Sequence, residues 1–202
     1  MTAGDCPRGA ILLDKDGTLI EDVPYNVDPD LIRLTPGAGE GLALLADAGW
    51  HIAVVTNQSG IARGLFPESA LGPVRGRIEA LLASFGVRLA GFHWCPHHPQ
   101  GSVAPLAVSC NCRKPAPGML TAALAALDAD PAQSWMIGDI LHDVEAGHAA
   151  GCRSILVDNG GETEWALSRD RMPDAVVPDL ATAARIVLAA GPRDVARDRS
   201  AA

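Results

Sequence analysis

The chain has 202 residues, a net charge of −8 and a pI near 5.1. That length supports a core without disulfides, and an acidic chain with no basic run is a poor partner for a nucleic-acid backbone. No apolar stretch approaches the roughly 20 residues of a membrane span, and residues 1–9 lack the apolar centre of a signal peptide, so no membrane attachment and a cytoplasmic protein are expected. A phosphorylated small molecule fits this balance, because local cations can outweigh an acidic surface inside one crevice. The five cysteines, three of them in one short segment, fit metal binding in a reducing compartment better than a disulfide framework.

In chain order, short apolar runs over 11–13, 52–55, 91–94, 135–137, 155–157 and 175–177 read as strands. Between them, 39–48, 68–85, 118–127, 143–150 and 180–189 carry Leu, Ala and Ile at helical spacing, often entered through Pro and left through Gly. Such alternation predicts an α/β fold, a doubly wound and mostly parallel Rossmann-like sheet. Residues 21–36 and 96–117 read as loops, and loops of that length in a compact domain are usually functional. One domain over 1–190 is expected, with a polar tail over 191–202 that lacks apolar periodicity.

Three strand ends carry chemistry. The first run stops on Asp14-Lys15-Asp16-Gly17-Thr18. A strand covered on both faces is continuously apolar, and ligands of such sheets bind beyond the carboxyl ends of the strands. A turn at Gly17 lets Asp14 and Asp16 face one crevice, where they can share a divalent cation or divide nucleophile and acid/base roles. In isolation an acidic turn would look the same. The second run ends on Thr56-Asn57-Gln58-Ser59-Gly60, a set of hydrogen-bond donors for phosphoryl oxygens. The fourth ends on Gly138-Asp139, with Asp143 one helical turn further, either beside Asp139 or as an N-cap. Arg113-Lys114-Pro115 supplies cations that, in a crevice, would offset the charge of a transferring phosphoryl group.

The order Asp-x-Asp-Gly-Thr, Thr-Asn-Gln-Ser, Lys-Pro, Gly-Asp-x-x-x-Asp resembles the four motifs of the haloacid dehalogenase superfamily of Mg²⁺-dependent phosphotransferases. More narrowly, 56–64, 95–102 and 110–115 resemble its heptose 1,7-bisphosphate 7-phosphatase family. The resemblance implies a haloacid dehalogenase-like fold without a separate cap domain and hydrolysis of the sugar 7-phosphate. Histidinol-phosphate phosphatase is the neighbouring alternative, and a non-catalytic phosphosugar-binding module a weaker one. It makes Asp14 the nucleophile that forms an aspartyl-phosphate and Asp16 the acid/base, with Mg²⁺ held by Asp14, Asp16 (through its carbonyl) and Asp139. Thr56 and Lys114 would stabilise the transferring group. Arg113, Asp22, Tyr25, Asn57, Gln58 and Ser59 would recognise the substrate. The chain departs from the pattern at Ile140, where family members commonly carry Lys. A monomer is expected.

Cys95-Pro96-His97 and Cys110-Asn111-Cys112 form two ligand pairs that match a tetrahedral Cys₃His site. Four protein ligands close the coordination sphere, so the expected Zn²⁺ is structural, forming a zinc-stabilised loop that directs Arg113 and Lys114. His98 competes with His97, but the family pattern uses the first of the pair. Cys6 and Cys152 are expected to be unliganded.

Overall fold

The protein is described here from a computed structural model covering residues 9–191. Expectations for 1–8, including Cys6, and for 192–202 lie outside the described residues. Six strands form one sheet: β1 (Ala10–Leu13), β2 (His51–Asn57), β3 (Gly91–Cys95), β4 (Trp135–Gly138), β5 (Arg153–Val157) and β6 (Ala175–Val177). Their order is β3-β2-β1-β4-β5-β6 and every pairing is parallel. All six were expected from the apolar runs.

The alternation of side chains along each strand divides the core into two layers. Ile11, Leu13, Ile52, Val54, Ile137 and Ile155 face one layer, covered by α1 (Ala38–Asp47), α3 (Leu71–Ala83) and α6 (Leu180–Ala190). Ala10, Leu12, Ala53, Val55 and Met136 face the other, against α4 (Gly118–Ala126) and Ala146 of α5 (Leu141–Ala149). Cys152 is buried in this second layer as a small core residue. Burial on both faces explains why β1 and β4 are apolar throughout.

Helix ends differ from expectation in places. The short helix α2 (Ser59–Ala62) was not expected, since one turn carries no periodicity. The helix expected over 68–85 opens as a 3-10 turn, Glu68–Ala70, before α3 begins. Helix α5 starts at Leu141, with Ile140 as its N-cap, and not at Asp143. Both long loops are loops, each holding a single 3-10 turn. Among the described residues no helix is long and apolar enough to cross a membrane.

In this strand order the winding of the parallel strands reverses between β1 and β4, which opens a crevice at their carboxyl ends. Asp14 follows β1 and Asp139 follows β4, so the topology alone brings them together.

Candidate active site

The β1 turn is shaped so that carboxylates can approach. Asp14 N–H donates to Ile137 O at 2.9 Å, which extends the β1–β4 pairing by one residue. Leu19 and Ile20 N–H then donate to Lys15 O, closing a tight loop that contains Gly17 in the left-handed region (φ 76°). A Cβ on Gly17 would lie 2.2 Å from Asp139 Oδ2, and one on Gly161 would lie at the same distance from that same oxygen. The Asp139 carboxylate is therefore sandwiched between two glycines. Thr18 Oγ1 donates to its other oxygen at 3.2 Å, and Asn159 Nδ2 donates to Gly17 O, fastening the loop after β5 to the β1 turn.

Around Lys114 the carboxylates crowd. The buried Lys114 Nζ is 2.5 Å from Asp14 Oδ1, 2.6 Å from Asp143 Oδ1 and 2.9 Å from Val55 O. Asp14, Asp139 and Asp143 place one oxygen each within 4.8 Å of one another. Burial pushes the Asp14 carboxyl up to about 8; Lys114 opposes this, while Asp143, Asp16 and Asp139 add to it. Burial and then Asp143 push Asp139 up to about 7. Burial works against the Lys114 ammonium, but Asp14 and Asp143 outweigh it and raise its pKa. Several buried carboxylates around one ammonium leave a deficit of positive charge, and hard oxygen ligands in this arrangement fit a divalent cation such as Mg²⁺.

Asp143 is the third residue of α5, in its first turn. Its Oδ1 meets Lys114, and its Oδ2 accepts from Ile140 N–H at 3.4 Å. It faces the cluster and is not the N-cap. The approach requires Gly138, whose Cβ would lie 2.2 Å from Asp143 Oδ2.

On the other flank, β2 delivers Thr56, Asn57 and Gln58. Gln58 Nε2 donates to Thr56 Oγ1 at 3.0 Å and to Asp16 Oδ2 at 3.2 Å. Lys15 Nζ holds the other Asp16 oxygen at 2.5 Å. Asn57 pairs with the Lys114 main chain: Nδ2 donates to Lys114 O at 3.0 Å, and Lys114 N–H donates to Asn57 Oδ1 at 3.1 Å. Asp16, Asp22, Tyr25, Asn57, Gln58 and Ser59 line a crevice of about 280 Å³. Tyr25 is half exposed, in a left-handed backbone conformation (φ 56°). Asp22 has its carboxyl raised by burial and by Asp16, against Lys15, which places all three within electrostatic reach.

The sulfur cluster is assembled as the spacing predicted. Cys95, Cys110 and Cys112 Sγ are 3.1–3.5 Å apart, and His97 Nδ1 is 3.7 Å from Cys95 Sγ and 3.3 Å from Cys112 Sγ. A tetrahedral zinc with bonds near 2.3 Å would hold sulfurs about 3.8 Å apart, so the donor set fits that ion. His98 points elsewhere, with Nε2 3.2 Å from Arg63 Nη2. Burial raises the Cys95 thiol, whereas at Cys110 burial is outweighed by hydrogen bonds from Cys112, Cys95 and the Arg113 and Cys112 main chain, which lower its pKa. Arg113 turns back on the same loop, Nη1 lying 3.4 Å from His97 O.

Of the residues singled out from sequence, Asp14, Lys114 and Asp139 meet in one cluster, with Asp16 and Thr56 joined to each other through Gln58. Two residues went unnoticed. Asn159 braces the β1 turn, and Glu162 Oε2 accepts from Leu141 N–H at the start of α5. The only sequence signal was the polar Asp-Asn-Gly-Gly-Glu run after β5.

The HAD-hydrolase-like family model matches residues 111–183. A Yersinia pestis protein named D-glycero-beta-D-manno-heptose-1,7-bisphosphate 7-phosphatase is 42% identical over 152 residues, 75% of this chain and 81% of that protein. Among solved structures, a putative HAD-like phosphatase from Mesorhizobium loti aligns with a TM-score of 0.79 and 37% identity, over 93% of this chain and 88% of its own. The D,D-heptose 1,7-bisphosphate phosphatase of B. bronchiseptica, solved with magnesium and phosphate, aligns with a TM-score of 0.74 and 33% identity, over 91% and 99%.

Proposed function

Because the chain belongs to the D-glycero-beta-D-manno-heptose-1,7-bisphosphate 7-phosphatase family of HAD-like phosphomonoester hydrolases, we propose that it removes the 7-phosphate of D-glycero-D-manno-heptose 1,7-bisphosphate, leaving heptose 1-phosphate. The observation that carries this reading is the position of Asp16, which lines the crevice with Tyr25 and Ser59 and lies within electrostatic reach of Asp14, the carboxylate paired with Lys114. This supports reading Asp14 as the nucleophile and Asp16 as the acid/base group beside a space of sugar-phosphate size.

In this mechanism Asp14 attacks phosphorus, the bond from phosphorus to the sugar oxygen breaks, and Asp16 gives that oxygen its proton. Water then attacks the aspartyl-phosphate. Asp16 takes the water proton, the bond from Asp14 to phosphorus breaks, and inorganic phosphate leaves. Lys114 and the Thr56 hydroxyl neutralise and orient the phosphoryl oxygens, since such transfers depend mainly on positioning and charge stabilisation. Mg²⁺, held by Asp14, Asp139 and the Asp16 carbonyl, would neutralise charge between carboxylate and phosphate. Asp22, Tyr25, Gln58, Ser59, Arg113 and the Asn57 main chain would bind the rest of the substrate. Zn²⁺ on Cys95, His97, Cys110 and Cys112 would be structural. The enzyme would work in the cytoplasm as a monomer.

The test is phosphate release with Mg²⁺ from both anomers of heptose 1,7-bisphosphate and from histidinol phosphate. A kcat/KM highest for a heptose anomer, the β form given the names of the relatives, supports the proposal. Preference for histidinol phosphate would overturn it and make Ile140 the first position to examine.

A further inference from the structure

We infer that Asn57 is a positioning residue that acts through the main chain of Lys114, in addition to anything its own backbone offers a substrate. The Asn57 amide gives one donor and one acceptor to the N–H and C=O of a single residue, 57 positions later in the chain. Two residues of an antiparallel narrow pair exchange bonds in the same way, so the side chain acts as a one-residue strand partner for Lys114.

The geometry shows why such a partner matters here. Lys114 sits in an irregular loop, two residues after Cys112 of the sulfur cluster, and no strand or helix fixes its backbone. Its side chain has four flexible carbons and presents its ammonium as a point charge with no preferred plane. The same strand, β2, grips it at both ends: Asn57 at the main chain and Val55 O at Nζ. With the root and tip both fixed against β2, the ammonium is held beside Asp14 at the end of the neighbouring strand β1. Placement of the charge on Lys114 is therefore set in part by a side chain whose own bonds go to the Lys114 main chain.

Asn57 lines the crevice, and a direct substrate contact by its amide is the competing role. Each polar end of that amide already makes a bond to Lys114, which favours the positioning role. The inference rests on the phosphatase reading, though not on the identity of the sugar.

A double-mutant cycle separates the roles. Phosphate release is measured for the wild type, Asn57→Ala, Lys114→Ala and the double variant, on heptose 1,7-bisphosphate and on p-nitrophenyl phosphate, with zinc content and circular dichroism for each. Misplacing a charged group by about 1 Å costs up to about 100-fold, so Asn57→Ala is expected to lower kcat about 10- to 100-fold with KM within about 2-fold. In the Lys114→Ala background the same change should alter kcat by less than about 2-fold, because its route of action is already gone. Multiplicative losses, a rise in KM without a fall in kcat, or full activity of Asn57→Ala would each overturn the inference. If Asn57→Ala does not fold, Asn57→Asp, which keeps the acceptor for Lys114 N–H, takes its place in the cycle. A wild type that hydrolyses only the aryl phosphate would refute the proposed substrate and leave the cycle readable.

Discussion

The carboxylate cluster and the sulfur cluster both gather metal-ligating side chains, yet the chain assembles them in opposite ways. Asp14, Lys114, Asp139 and Asp143 come from the ends of β1 and β4, a loop and the first turn of α5, and meet only when the sheet is complete. Cys95 ends β3, and His97, Cys110 and Cys112 follow in the loop after it, close together in the chain. The first cluster is a product of topology and the second is a local clasp. The carboxylates thus meet where the whole fold must agree, while the sulfur donors are near neighbours in the chain. Lys114 lies between the two, two residues after Cys112 in the chain and with its ammonium against Asp14 and Asp143.

Breaking the first cluster should remove turnover and spare the fold. Asp14→Asn is expected to reduce phosphate release by about 10⁴-fold or more, the scale of losing a nucleophile, with an unchanged far-UV circular dichroism spectrum. Retained activity would take the nucleophile role away from Asp14. Breaking the second cluster should act at a distance: Cys112→Ser is expected to lose bound zinc by metal analysis, lower the thermal midpoint and reduce kcat about 10- to 100-fold. Full kcat in a zinc-free protein would show that the clasp does not direct Lys114.

A smaller effect sharpens the contrast through pH. Burial raises the Asp14 carboxyl from 3.8 to about 8 and Asp139 from 3.8 to about 7 in the folded protein. The folded state therefore holds these protons more tightly than the unfolded chain. Their contribution to stability is complete below about pH 4 and is lost as pH rises to about 8. Thermal midpoints of protein freed of Mg²⁺ but loaded with zinc should fall across that window. Added Mg²⁺ should restore more at the alkaline end than at the acid end, and a midpoint independent of pH would show that the carboxylates are not strained by their crowding.

Much of this was legible in the sequence, for reasons that also set the limit. All six strands were visible because strands buried on both faces must be apolar throughout, and Asp14 and Asp139 stood out as the first polar residues after such runs. The gathering of Cys95, His97, Cys110 and Cys112 was visible because they lie in two short-spaced pairs. Asp143 was ambiguous, since its role turns on whether α5 begins at 141 or 143, a difference no periodicity resolves. The Asn57 and Gln58 amides were read as facing substrate. Their partners, Lys114 for one and Asp16 with Thr56 for the other, are set by tertiary approach, and nothing in the local composition of 56–59 marks it. Asn159 and Glu162 escaped for the same reason, each bonding to main chain far from its own position.

The glycine sandwich around Asp139 ties two distant positions to one carboxylate. A side chain at 17 or at 161 would meet the same carboxylate oxygen at 2.2 Å, so neither position can drift while Asp139 stays where it is. Acidic residues recur in turns of every kind and are weak markers of descent. Relatives that keep both glycines should keep the carboxylate in place, and relatives that have replaced either must have moved it.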